Sequence, residues 1–220
     1  MSERSGARPS RRRLSPDDRR TELLALGAKV FGERPYDDVR IDEIAELAGV
    51  SRALMYHYFP DKRAFFAEVV RAEAERLFEA TSTAAVPGQT LFERVCIGVL
   101  AYVEYHEQYP HGSWAAYIGP GRTDPMLVGI DDADNNRQMQ RIVDEMRAIV
   151  PFELDSKVER DLRVTVYGWL AFTLEMCRQR IIDPSLDARQ IAQASAHALL
   201  DAVARVPGIP AQLSEAIDNR

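Results

Sequence analysis

The chain has 220 residues with 12 glycines, 12 prolines, two cysteines and a formal charge of −6, enough for one large or two modest domains with a real core. Its longest uncharged, mostly apolar run is the eleven residues Val164 to Leu174, short of the roughly 20 that cross a bilayer as a helix, so no membrane partner is expected. Cys96 and Cys177 lie far apart without CxxC spacing and fit reduced, buried thiols of a cytoplasmic protein.

Residues 1–15 form a polar tail with Arg4, Arg8, Arg11, Arg12 and Arg13 set against Glu3, and they lack the apolar segment of a secretory signal. The negative charge lies elsewhere. Residues 1–80 carry 15 basic and 15 acidic side chains, and residues 81–220 carry 13 and 19. Pro16 opens a helix through Phe31, with Leu23, Leu26, Val30 and Phe31 on its inner face. Ile41, Ile44, Ala45 and Ala48 then recur at spacings of three and four, the sign of one buried helical face. Gly49 stands where the chain must leave that helix, a position that favours positive φ. Ser51 can cap the next helix by accepting from a free amide, and Met55 and Phe59 share one side of it. Asp61 can cap a third helix, which runs to about residue 81 with Lys62 at its start. Two short helices around a glycine turn can push a helix end into the major groove of DNA.

These residues carry a family resemblance. Ile44, Ala45, Ala48, Gly49, Val50, Ser51, Tyr56, His57, Tyr58, Phe59 and Lys62 stand at the spacing of the TetR (tetracycline-repressor-like) helix-turn-helix, and the resemblance covers about residues 17–80. It implies an all-α protein: an N-terminal three-helix helix-turn-helix DNA-binding domain at 16–62, a linking helix at about 61–81, and a helical ligand-binding and dimerisation domain at 82–220. The DNA-facing set is then Arg40, Ser51, Arg52, Ala53, Leu54, Tyr56, His57, Tyr58 and Lys62. Ala53, Leu54, Tyr56 and His57 would enter the groove, while Arg40, Arg52, Tyr58 and Lys62 would mainly hold phosphates. Arg40 replaces the usual capping Thr or Ser, and arginine cannot accept a hydrogen bond. Leu54 and Ala53 also depart from the family's habit, and Leu54 can meet a thymine methyl. The Arg-rich tail is either a solvated leader or a DNA arm that adds salt-sensitive affinity.

Beyond residues 82–89, which read as a connector, helices are expected at about 90–109, 112–118, 124–150, 155–181 and 187–206, with a possible break at the polar run 131–136. Ile191, Ala194, Ser195, Ala198, Leu199, Ala202 and Val203 form an unbroken apolar and small-residue stripe. The resemblance implies that this helix and the one before it build a homodimer; an intramolecular core would leave the same pattern. The resemblance also implies a small effector in the C-terminal half, which shifts the spacing of the two DNA-binding heads on a pseudo-palindromic operator. Tyr102, Tyr105, His106, Trp114, Tyr117, Trp169, Phe172 and Met176 supply aromatic and soft apolar surface for such a pocket, or for ordinary core.

Enzymatic and metal readings are weak. There is no Gly-rich phosphate loop, GxSxG or HExxH. Asp132, Asp134 and Asn136 mimic a calcium loop, but Arg137 and Val143 replace its glycine and its bidentate glutamate. The expectation is therefore a non-enzyme without cofactor or metal, and the resemblance implies a repressor released by its effector. The rival is a helical ligand-binding or enzymatic protein with a vestigial DNA-binding head.

Overall fold

The computed structural model describes residues 15–82, 88–109 and 125–219. The tail 1–14, most of the connector, the helix expected at 112–118, and Trp114 and Tyr117 lie outside them. Every regular element among the described residues is helical.

Helix α1 (Pro16–Glu33) starts at a complete capping box, with Ser15 accepting from the Asp18 amide and Asp18 accepting from the Ser15 amide. Its buried face holds Leu23, Leu24, Ala28, Val30 and Phe31. A 3₁₀ turn (Tyr36–Asp38) leads to α2 (Ile41–Leu47), α3 (Arg52–Tyr58) and the long α4 (Lys62–Thr81). Ile44, Ala45, Met55, Phe59, Phe65 and Val69 close the core of this head. At Gly27 the crossing of α1 and α4 admits no side chain. A Cβ there would stand 2.5 Å from Phe65 Cζ and 2.8 Å from Val69 Cγ2.

The body contains α5 (Leu91–Gln108), α6 (Pro125–Ile149), α7 (Ser156–Ile182), α8 (Ala188–Ala204) and α9 (Ala211–Asp218). Thr90, Asp155 and Asp187 cap α5, α7 and α8 through their side-chain oxygens. A second core joins Leu91, Val99 and Val103 of α5 to Met139, Val143 and Met146 of α6, Leu162 and Val166 of α7, and Leu199, Leu200 and Val203 of α8. Helix α4 serves both cores: Phe65, Phe66, Val69 and Val70 belong to the head, whereas Leu77 packs with Tyr105 of α5.

Two expectations about elements change. Residues 131–136 do not break α6, because the polar run has helical partners: the Asn136 side chain donates to the Asp132 carbonyl at 2.8 Å, and Asp132 accepts from the Tyr167 hydroxyl at 2.7 Å. Helix α9 was not expected. Leu213 and Ile217, one turn apart, are fully buried against the body and hold it there.

Candidate functional site

The turn between α2 and α3 follows from two residues. Gly49 has φ 65°, which glycine adopts without strain. The Ser51 hydroxyl then accepts from the Leu54 amide at 3.1 Å and fixes the direction of α3. Met55 and Phe59 anchor one side of α3 in the core, and helical spacing turns Arg52, Ala53, Tyr56 and His57 outward. Tyr56 is 45% exposed. Leu54 is half-buried at the rim of that face, and Ser51 is exposed at its start.

The basic and polar side chains around α3 are more constrained than their positions in sequence suggest. Arg52 meets Asp42 at 3.3 Å and Glu46 at 3.6 Å, both on α2. Arg40, at the start of α2, is 4.0 Å from the same Asp42 and makes no side-chain cap. Asp42 therefore gathers both arginines at one edge of the exposed face. The Tyr58 hydroxyl donates to the Pro16 carbonyl at 3.3 Å and ties the end of α3 to the start of α1. Lys62 turns away from the exposed face: its ammonium donates to the Tyr36 carbonyl at 2.9 Å and to that of Asp37 at 3.4 Å, 4.2 Å from the Tyr36 ring centre. The expected phosphate grip is thus replaced by a clamp on the 3₁₀ turn, which a reading of one helix at a time cannot see.

In the body, a cavity of about 270 Å³ lies between α4, α5, α6 and α7. Of the expected lining, Tyr102 and Trp169 face it, and the Trp169 indole N–H is taken by the Ser195 carbonyl at 2.7 Å, which leaves the ring to form an apolar wall. Four others do not line it. Phe172 is exposed on the outer side of α7, and Met176 packs half-buried against the second core. The Tyr105 hydroxyl donates to buried Glu73 at 3.0 Å. Burial, and then the Glu73 charge, raise the Tyr105 pKa; burial likewise raises that of Glu73. His106 is buried, which pushes its pKa down to about 4.

Sequence reasoning missed the polar side of the cavity. Asp134, Gln138, Arg141 and Glu145 line it from one face of α6, with Arg94 from α5 and Thr173 from α7. Arg94, only 5% exposed, pairs with Glu145 at 3.1 Å. Arg141 reaches the end of α4, donating to the Phe78 carbonyl at 2.9 Å and to the Ser82 and Thr81 hydroxyls at 2.8 Å each. It therefore caps that terminus while facing the cavity. The only sequence signal was charged residues at helical spacing within 131–145.

The stripe on α8 also divides. Ile191, Ser195 and Leu199 are buried in the chain's own core, so they are not available to a partner; Ala194 stays exposed, and Ala198 and Ala202 stay partly so. Beside them α7 leaves Val164, Tyr167, Phe172 and Ile182 exposed.

The head and its bared α3 define a helix-turn-helix DNA-binding domain on a helical body. Residues 23–69 match the family model of bacterial regulatory proteins, tetR family. The chain is 28% identical over 116 residues to the HTH-type transcriptional activator FasR of Mycolicibacterium smegmatis, covering 53% of each chain. It is 42% identical over 52 residues to the HTH-type transcriptional regulator EthR of Mycobacterium tuberculosis, covering 24% of each. The match therefore spans about half the length of the first relative and a quarter of the second. A tetR-family regulator structure from Streptomyces coelicolor shares the fold, with a TM-score of 0.73 at 19% identity over 94% of this chain and 89% of that one. Residues 23–69 thus form a DNA-binding domain of the TetR family, and the chain as a whole is similar in fold to TetR-family regulators.

Proposed function

We propose that the chain is a dimeric transcriptional regulator that binds a pseudo-palindromic operator and releases it when a small effector fills the cavity. The observation that carries this reading is the outward face of α3, with Arg52, Ala53, Tyr56 and His57 bared on a helix anchored by Met55 and Phe59. Helix α3 enters the major groove; Arg52 and Arg40 lie beside it for phosphates, and Leu54 contacts a base methyl at the rim.

Dimerisation uses the exposed apolar residues of α7, Val164, Tyr167 and Phe172, against the small Ala194, Ala198 and Ala202 of α8. An apolar surface of this kind favours a partner, and small residues allow close helix approach. Coupling runs through α4. Its first half sits in the head core, and Arg141 grips its last turn from the cavity wall. An effector that prefers one placement of α4 shifts the population of head spacings, and only by its difference in affinity for the two states.

The test is a gel shift with genomic fragments, using wild type and the Tyr56→Ala, His57→Ala double variant, whose exposed positions leave the core intact. Selective binding by the wild type that is lost in the variant supports the reading; absence of selective binding by the wild type refutes it. A monomeric mass at micromolar concentration would contradict the dimer.

A further inference from the structure

The cavity's polar side is asymmetric in a way that restricts its ligand. Arg141 Nη2 donates to Gln138 Oε1 at 2.7 Å, and this bond fixes the orientation of the amide. The flipped amide would set its NH₂ against a guanidinium, donor against donor. Gln138 Nε2 is therefore a donor. Gln138 is only 6% exposed, and Nε2 has no hydrogen-bond partner among the described residues. The Thr173 hydroxyl, on a residue 4% exposed, is likewise unpartnered and lines the same cavity. Buried polar atoms are nearly always bonded, so two orphans facing one cavity point to a group that arrives from outside.

The rest of the wall sets the remainder of the ligand. Leu77, Val99, Tyr102, Trp169 and Leu170 are apolar or present rings. The Arg141 guanidinium spends its Nη hydrogens on uncharged oxygens of Phe78, Ser82, Thr81 and Gln138, and the Glu145 carboxylate stands 4.0 Å from Nε. A cation held by the Gln138 carbonyl polarises the amide and makes its N–H a stronger donor.

We infer that the cavity binds an apolar molecule carrying an oxygen acceptor, a carboxylate or ester carbonyl, that takes a hydrogen bond from Gln138 Nε2 with the Thr173 hydroxyl beside it. This rests on the reading of the cavity as the effector site. A head group that only donates, such as an ammonium, meets Gln138 and Arg141 donor to donor, and the carboxylates on the same wall, Asp134, Glu145 and Glu175, are already paired with Arg137, Arg94 and Arg178. Sites built to hydrogen-bond one polar group discriminate strongly against ligands that cannot complete the bond.

Three probes with one tail test this by calorimetric titration of the full chain without DNA: decanoate, methyl decanoate and decylammonium, each below its micelle concentration. Decanoate and methyl decanoate bind at one per chain, and decylammonium binds at least about tenfold more weakly. Gln138→Glu keeps an acceptor for Arg141 but removes the donor, and weakens decanoate by about tenfold or more. Thr173→Val keeps the shape and weakens it too, which preserves the test if Gln138→Glu melts early. Equal binding of decylammonium, no effect of either substitution, or no binding by any probe would overturn the inference. A gel shift with decanoate stands apart: binding without operator release sinks the effector reading and leaves the ligand chemistry supported.

Discussion

Lys62→Met separates two roles that one lysine can have. The substitution keeps the apolar stem and removes the ammonium, with its bond to the Tyr36 carbonyl at 2.9 Å and its place 4.2 Å from the Tyr36 ring centre. A charged hydrogen bond contributes about 1.5–3 kcal/mol net, and a cation–π contact at a half-exposed site about 0.5–1. Taking the low ends, because Lys62 is only half-buried, the loss is about 2 kcal/mol. For a chain of this size each kcal/mol moves the midpoint by roughly 2–4 °C, so a drop of about 4–8 °C is expected if head and body melt together. The assay is thermal unfolding by circular dichroism, paired with the salt dependence of operator binding. A phosphate contact adds about 0.9 to the slope of log affinity against log salt. An unchanged midpoint with a slope reduced by about one would refute the clamp and restore the phosphate grip.

Other perturbations follow from the packing and the buried ionisable groups. Gly27→Ala would ordinarily stabilise a helix by about 1 kcal/mol, but its Cβ collides with Phe65 and Val69, so a net loss of about 1–3 kcal/mol in urea unfolding is expected; stabilisation would disprove the tight crossing. Burial raises the Glu73 pKa, so the folded state favours its protonated form. Its contribution is full below the ordinary glutamate range and is lost as pH rises through the raised value; Glu73→Gln should abolish that loss in denaturant titrations across pH. His106 behaves in the opposite sense. With its pKa pushed from 6.5 to about 4, its contribution is full above 6.5 and falls away as pH drops to about 4. The span amounts to about 3 kcal/mol. His106→Gln should flatten that slope, and an unaltered slope would place the titration elsewhere.

The head was legible because its signals are local. Gly49, Ser51, Met55 and Phe59 each act through their own turn or helix, so spacing alone conveys the geometry. The body was legible only where the buried face is apolar. In α6 the inward positions Asp134, Gln138, Arg141 and Glu145 are polar, so apolar periodicity missed the cavity and suggested a break at 131–136 that does not occur. The α8 stripe was ambiguous for another reason: the core of one chain and the face of a dimer demand the same small and apolar residues, and Ile191, Ser195 and Leu199 went to the core. The contacts of Lys62 and Arg52 were not legible because their partners, Tyr36 for one and Asp42 and Glu46 for the other, lie on separate elements. Tyr105 and Phe172 show that an aromatic residue in the sensor half need not reach the cavity.

Selection of binding sites from random double-stranded DNA by the full chain tests the central claim most directly. The expected result is enrichment of an inverted repeat whose half-sites lie a whole number of helical turns apart, about 10–10.5 base pairs per turn, and loss of enrichment in the Tyr56→Ala, His57→Ala variant. A folded wild-type protein that enriches no sequence, or a variant that enriches the same one, would contradict the assignment of α3 as the element that reads DNA.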